Sequence, residues 1–172
     1  MPRALIGFAP TSQLDAARLA PHIPPMPNPF LIPEEPSAAE AIAAIGEELG
    51  MFDDWMDRYQ FIIELGRKLP PFPETWRNDS HRVPGCQSQV WMELDRREEK
   101  LFLAGASDAA IVSGLVALLL RVYSGRSPAE ILATDPVFLR DLGLIEALST
   151  NRGNGIAAMA RKIRELAALQ AV

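Results

Sequence analysis

Proline placement sets the first limit on the fold: nine of the fifteen prolines in this 172-residue chain lie before residue 37. Pro21, Pro24, Pro25, Pro27 and Pro29 crowd one short stretch. Each proline locks φ and removes an amide donor, so this segment can be neither a continuous helix nor a central strand. Residues 1–36 read as a Pro-rich N-terminal arm, and a single domain is expected over 37–172, a span ordinary for one core.

Past the arm, local signals alternate between helix and strand. Ser37-Ala38-Ala39-Glu40 is a capping box and predicts a helix ending near Gly50. Trp55, Tyr59, Ile62, Ile63 and Gly66 recur at helical spacing over 53–69, before Pro70-Pro71 stops the run. These two helices are expected to form a hairpin. Residues 89–95 alternate, with Val90, Met92 and Leu94 on one side and Trp91, Glu93 and Asp95 on the other, which is strand periodicity. A charged turn, Arg96 to Lys100, leads to Leu101-Phe102-Leu103-Ala104 and predicts an antiparallel partner.

Ser107 precedes a long apolar helix ending near Tyr123, with Asp108 early in it, where a carboxylate favours the positive helix N-terminus. Ser127-Pro128-Ala129-Glu130 is a second capping box, and Asp135-Pro136 opens a short helix towards Leu142. A final helix over 154–169 carries Ile156, Met159, Ile163, Leu166 and Leu169 on one stripe. The fold class is therefore α+β, with several helices packed around a small antiparallel sheet.

A net charge of -5 repels polyanions, so neither nucleic acid nor an anionic membrane surface is an expected partner. No apolar run approaches the roughly 20 residues of a membrane span, and the N-terminus lacks a signal-peptide core before Gln13 and Asp15. Cys86 is the only cysteine; it cannot form an intramolecular disulfide, and a thiol that stays free fits a cytoplasmic location. No His/Cys cluster has metal-ligand spacing, so no metal is expected.

The one thiol lies in Val83-Pro84-Gly85-Cys86-Gln87-Ser88-Gln89-Val90-Trp91, a loop running into the first strand. Pro84 biases Val83 to an extended conformation, Gly85 permits positive φ, and Gln87, Ser88 and Gln89 add hydrogen-bonding groups without fixed charge. A lone cysteine is more often an inert buried residue than a nucleophile. This one has no adjoining lysine or ligand cluster, which suits sulfur-for-sulfur exchange better than hydrolysis. His81 lies five residues upstream, but a lone histidine in a polar loop is more often exposed than half of a Cys-His pair. Trp91 reads as packing before cover for the loop, and the basic run Arg161, Lys162 and Arg164 as a solvated helix face.

The run Gly85 to Trp91 resembles the signature of the SufE family, which includes its relative CsdE. The likeness continues through Tyr59 to Gly66 with Leu69-Pro70, through Ser107 to Leu115, and through Tyr123, Thr134-Asp135, Leu142-Gly143-Leu144 and the stretch from Arg152 to Met159. It covers about residue 40 to the C-terminus in family order; the arm departs from it. The resemblance implies a SufE/IscU-like fold and a persulfide acceptor at Cys86, supported by Gly85, Gln87, Ser88 and an aspartate matching Asp108. Arg152 matches an arginine associated with the desulfurase interface. By themselves, Asp108 also reads as a helix N-terminal acid and Arg152 as a solvated cation.

The implied partners are a PLP-dependent cysteine desulfurase, SufS-like or CsdA-like, and a SufB-containing scaffold that takes the sulfur on for iron–sulfur cluster assembly. The protein itself is expected to need no cofactor, since PLP belongs to the desulfurase, and to show no stand-alone turnover. A contact-only activator of a desulfurase and an independent thiol hydrolase are the alternative readings.

Overall fold

The computed structural model describes residues 25–171. Among them are six α-helices and one two-stranded antiparallel sheet, the α+β architecture expected. Helices α1 (Ala38–Gly50) and α2 (Trp55–Arg67) precede strands β1 (Val90–Arg97) and β2 (Lys100–Ser107). Helices α3 (Ala110–Tyr123), α4 (Pro128–Ala133), α5 (Phe138–Asp141) and α6 (Thr150–Gln170) follow. None of the described helices is long and apolar enough to cross a membrane.

Both capping boxes work as the sequence suggests: the Ser37 and Ser127 hydroxyls accept from the amides of Glu40 and Glu130. Asp54 caps α2 by accepting from the Met56 amide. The strands extend further than the alternation alone indicates, because Arg97 pairs with Lys100 across a two-residue turn in which Glu98 takes φ 55.

Helix α3 is the centre of the core, buried along almost its whole length. It packs against β2 on one side and against α1, α2 and α6 on others. The expected α1–α2 hairpin is corrected here, since both helices pack chiefly on α3 and not on each other. Glycine explains the preference. A Cβ on Gly114 would lie 2.1 Å from the Ile62 carbonyl oxygen, and one on Gly66 would lie 2.5 Å from the Gly114 nitrogen. The α2 and α3 backbones meet where no side chain intervenes, a closer contact than α1 could match.

A second correction concerns Ser107 and Asp108. Ser107 ends β2, and its hydroxyl donates to the Gln89 carbonyl while accepting from the Ala109 amide. Helix α3 starts only at Ala110, with no side-chain cap at Ala109. A third concerns α6, which begins at Thr150, four residues before the expected start, and so takes in Asn151, Arg152 and Gly153.

Both sides of the sheet are covered in part. Beside β1, Val83 donates to Val90 and Met92 donates to the His81 carbonyl, at 2.8 and 2.9 Å. Beside β2, Leu31 donates to Leu103 and Leu101 to Arg126. Leu31 belongs to the Pro-rich arm, of which residues 1–24 lie outside the described residues. Its described part is fastened: the Ser124 hydroxyl donates to the Leu31 carbonyl, Arg126 to the Glu35 carbonyl, and Arg121 bridges Glu35 and Glu48. That pairing holds the Glu35 carboxyl below its ordinary value of 4.5, the Arg121 hydrogen bond outweighing burial.

Candidate functional site

The Cys86 loop is held at both ends before any side chain of the loop is considered. At its base, His81 to Val83 runs antiparallel beside β1 through the two amide bonds described above. At its exit, the Asp108 carboxylate accepts from the Gln89 amide at 3.0 Å, and the Asp108 amide donates back to the Gln89 carbonyl at 3.3 Å. Asp108 therefore anchors the loop instead of capping α3. Gly85 adopts φ 88, a conformation that side-chain-bearing residues rarely take. Its Cα faces Ala158 of α6, so the turn brings the next residue against that helix.

Cys86 is half-buried, and its thiol points to α6, where the S–H donates to the Gly155 carbonyl at 3.6 Å. Burial pushes the thiol pKa up from its ordinary value of 9.0, because desolvation penalises the thiolate. Beside the sulfur is a small cavity of about 90 Å³. Gln87 and Ser88 line it from the loop, Val112 and Leu115 from α3, and Ile156 and Met159 from α6. Asn151 and Arg152, both exposed, line it from the first turn of α6. On its other side the loop borders an open depression formed with Asp79, Arg82 and Pro84.

Cys86, Gln87, Ser88 and Arg152 thus meet at one cavity, with Gly85 shaping the turn and Asp108 fixing the loop exit. Asn151, Gly155 and Met159 also belong to the site, although the sequence pattern marks Met159 only as part of the apolar stripe of the last helix and gives Asn151 and Gly155 no role. The stripe through Ile156 and Met159, carried one turn upstream, places Arg152 and Gly155 on the same side, since residues three and four apart share a helix face.

His81 makes no hydrogen bond to Cys86. Its Nε2 lies 2.7 Å from Glu93 Oε2, its Nδ1 lies 2.8 Å from Asn78 Oδ1, and its ring stacks on Trp76. Trp91 is buried under the Arg77 guanidinium, 5.2 Å from its centroid, and so serves packing. In the basic run of α6, Arg164 is committed to the Thr134 carbonyl. Among the described residues, no three His, Cys, Asp or Glu side chains converge to hold a metal ion. The chemistry available is that of one sheltered thiol beside a small space with apolar walls on α3 and α6 and polar groups from the loop and the start of α6.

Comparison with known proteins bears on the fold and the family. A solution structure of a hypothetical protein from Thermus thermophilus superposes with a TM-score of 0.61 at 24% identity, covering 80% of this chain and 96% of that one, which establishes the fold. A SufE-like protein of Rhizobium meliloti (strain 1021) is 42% identical over 123 residues, 69% of this chain and 88% of the relative. A SufE-like protein of Rhizobium etli is 42% identical over 130 residues, 73% of this chain and 88% of the relative. The sequence profile of SufE, described as an Fe-S metabolism associated domain, matches residues 43–167. Sharing that profile over most of its length and 42% of its aligned residues with SufE-like relatives, this chain belongs to the SufE family.

Proposed function

We propose that the protein is a sulfur acceptor: Cys86 receives the sulfane sulfur of a cysteine desulfurase persulfide and passes it to a SufB-type scaffold for iron–sulfur cluster assembly. The observation that carries this reading is the placement of the sole thiol, at the tip of a loop anchored at both ends, with space beside its sulfur. A hydrolase would need a base on the thiol. His81, the histidine nearest in sequence, is instead bound to Glu93 and Asn78.

In the exchange, the Cys86 thiol first gives up its proton, and its thiolate attacks the terminal sulfur of the donor persulfide. A new S–S bond forms at Cys86 as the donor S–S bond breaks, and the departing donor thiolate takes a proton. No net oxidation occurs. Burial disfavours the thiolate at rest, and in this reading docking draws the loop outward and hydrates the sulfur as it ionises. The same reading gives Arg152, exposed at the cavity mouth, the contact with the desulfurase as the loop moves.

The test is intact-mass analysis after incubation with a cysteine desulfurase and L-cysteine under non-reducing conditions. The expected result is a thiol-reversible gain of one sulfur on the wild type and none on Cys86→Ser. Stimulation of the desulfurase by Cys86→Ser with no sulfur gained on either protein would replace the acceptor with a contact-only activator.

A further inference from the structure

Gly155 lies inside α6, where glycine is less favourable than alanine because it gives up more backbone freedom. Nothing in its surroundings obliges it to be glycine. Its φ is not in the left-handed region, and an added Cβ would meet only Cys86, 3.8 Å from Sγ and 3.9 Å from Cα, which are ordinary contacts. At Gly66 and Gly114 a Cβ would collide with backbone, so glycine there has a packing reason that Gly155 lacks. What the missing side chain does leave is space on the α6 side of the sulfur, continuous with the cavity walled by Val112, Leu115 and Met159.

We infer that Gly155 reserves the space into which the sulfur carried on Cys86 turns, and is a positioning residue for the loaded form; this rests on the sulfur-acceptor reading above. The carried sulfur would sit about 2.05 Å from Sγ and needs about 3.5–4.0 Å from any neighbouring carbon. A methyl group at 3.8 Å from Sγ tolerates the bare thiol but occupies that approach. Loading also removes the S–H that the Gly155 carbonyl now accepts, so the new sulfur is free to turn along the apolar walls. The cargo this space suits is a single sulfane sulfur. A bulkier mixed disulfide would have to face out of the loop.

The decisive comparison is Gly155→Ala against Gly153→Ala. Both place alanine in the first half of α6, but the Cβ at 153 would face Ile145, 3.4 Å from its Cγ2, and not the sulfur. Each protein is loaded with desulfurase and L-cysteine, freed of both, and challenged with dithiothreitol while the sulfur-bearing mass is followed. Gly155→Ala is expected to lose its sulfur about tenfold faster than the wild type, and Gly153→Ala within about twofold of it. Val112→Ile, which enters the same cavity from α3, is expected to shorten the lifetime in the same direction and serves if Gly155→Ala fails to fold. Equal lifetimes in all proteins, or equal shortening in both alanine variants, would overturn the inference. A wild type that never gains sulfur would overturn the acceptor reading itself.

Discussion

Helix α3 has two seams of opposite character. Against α2 it closes completely, with Gly114 set on the Ile62 carbonyl and Gly66 on the Gly114 backbone. Against α6 it stands off, leaving about 90 Å³ between Val112, Leu115, Ile156 and Met159 beside Cys86. Glycines occur at both seams and do opposite things: at one they let two backbones touch, at the other they leave a sulfur with room. Close packing holds the fold, whereas an unfilled volume lowers stability in proportion to its size, so the second seam reflects a use other than stability.

The comparison breaks most visibly at the closed seam. Gly114→Ala should cost about 2–3 kcal/mol despite the better helix propensity of alanine, because its Cβ would run into the Ile62 carbonyl, backbone that cannot turn aside. Urea denaturation gives the value, and a loss under about 0.5 kcal/mol would mean that α2 can slide away from α3. At the other end of α3, Arg121→Met should cost about 1–3 kcal/mol by stranding Glu35 and Glu48, which it now bridges.

The same bridge gives a pH test. Because the Glu35 carboxyl is held below 4.5 in the folded state, its contribution is whole above that pH and fades as pH falls through the depressed value. Glu35→Gln should flatten the acid limb of the stability–pH curve; an unchanged limb would show that other carboxylates dominate it. The open seam should respond in the reverse sense, with Val112→Ile raising stability by about 0.5–1 kcal/mol while it shortens the lifetime of the carried sulfur.

The smallest effect sharpens the picture at the sulfur itself. Iodoacetamide should alkylate native Cys86 several-fold more slowly than the urea-unfolded chain at pH 8, and the gap should narrow as pH rises past 9.0. The sign follows from the raised thiol pKa: folding favours the protonated form, a contribution complete below 9.0 and lost as pH climbs through the folded value. Equal rates in both states would leave the thiol unsheltered.

Capping boxes, strand alternation and prolines announced the order and type of the elements, because those signals are local and each acts within one turn or one pleat. The cysteine loop was legible for the same reason. Helix α6 hid its first turn since the apolar stripe that marks the helix begins only at Ile156, and Gly153, whose neighbour in space is Ile145, has no side chain to extend it. Asp108 read as a helix acid because its partner, the Gln89 amide, is nineteen residues away along the chain. The fastening of Leu31 and Glu35 depends likewise on Leu103, Arg121 and Ser124, which no pattern within the arm reveals.

The covered sides of the sheet restrict how another protein can approach the thiol. Beside the cysteine loop the backbone of β1 is already occupied by His81 and Val83, and its far end carries Asp95, Arg96 and Arg97. On β2, Leu31 and Arg126 take the groups that an incoming chain would need. In the sulfur-acceptor reading, a partner lending a strand to this sheet would find mainly the charged far end of β1 open, so recognition falls to side chains of the loop and of α6, and it can loosen the loop without unzipping the hairpin behind it.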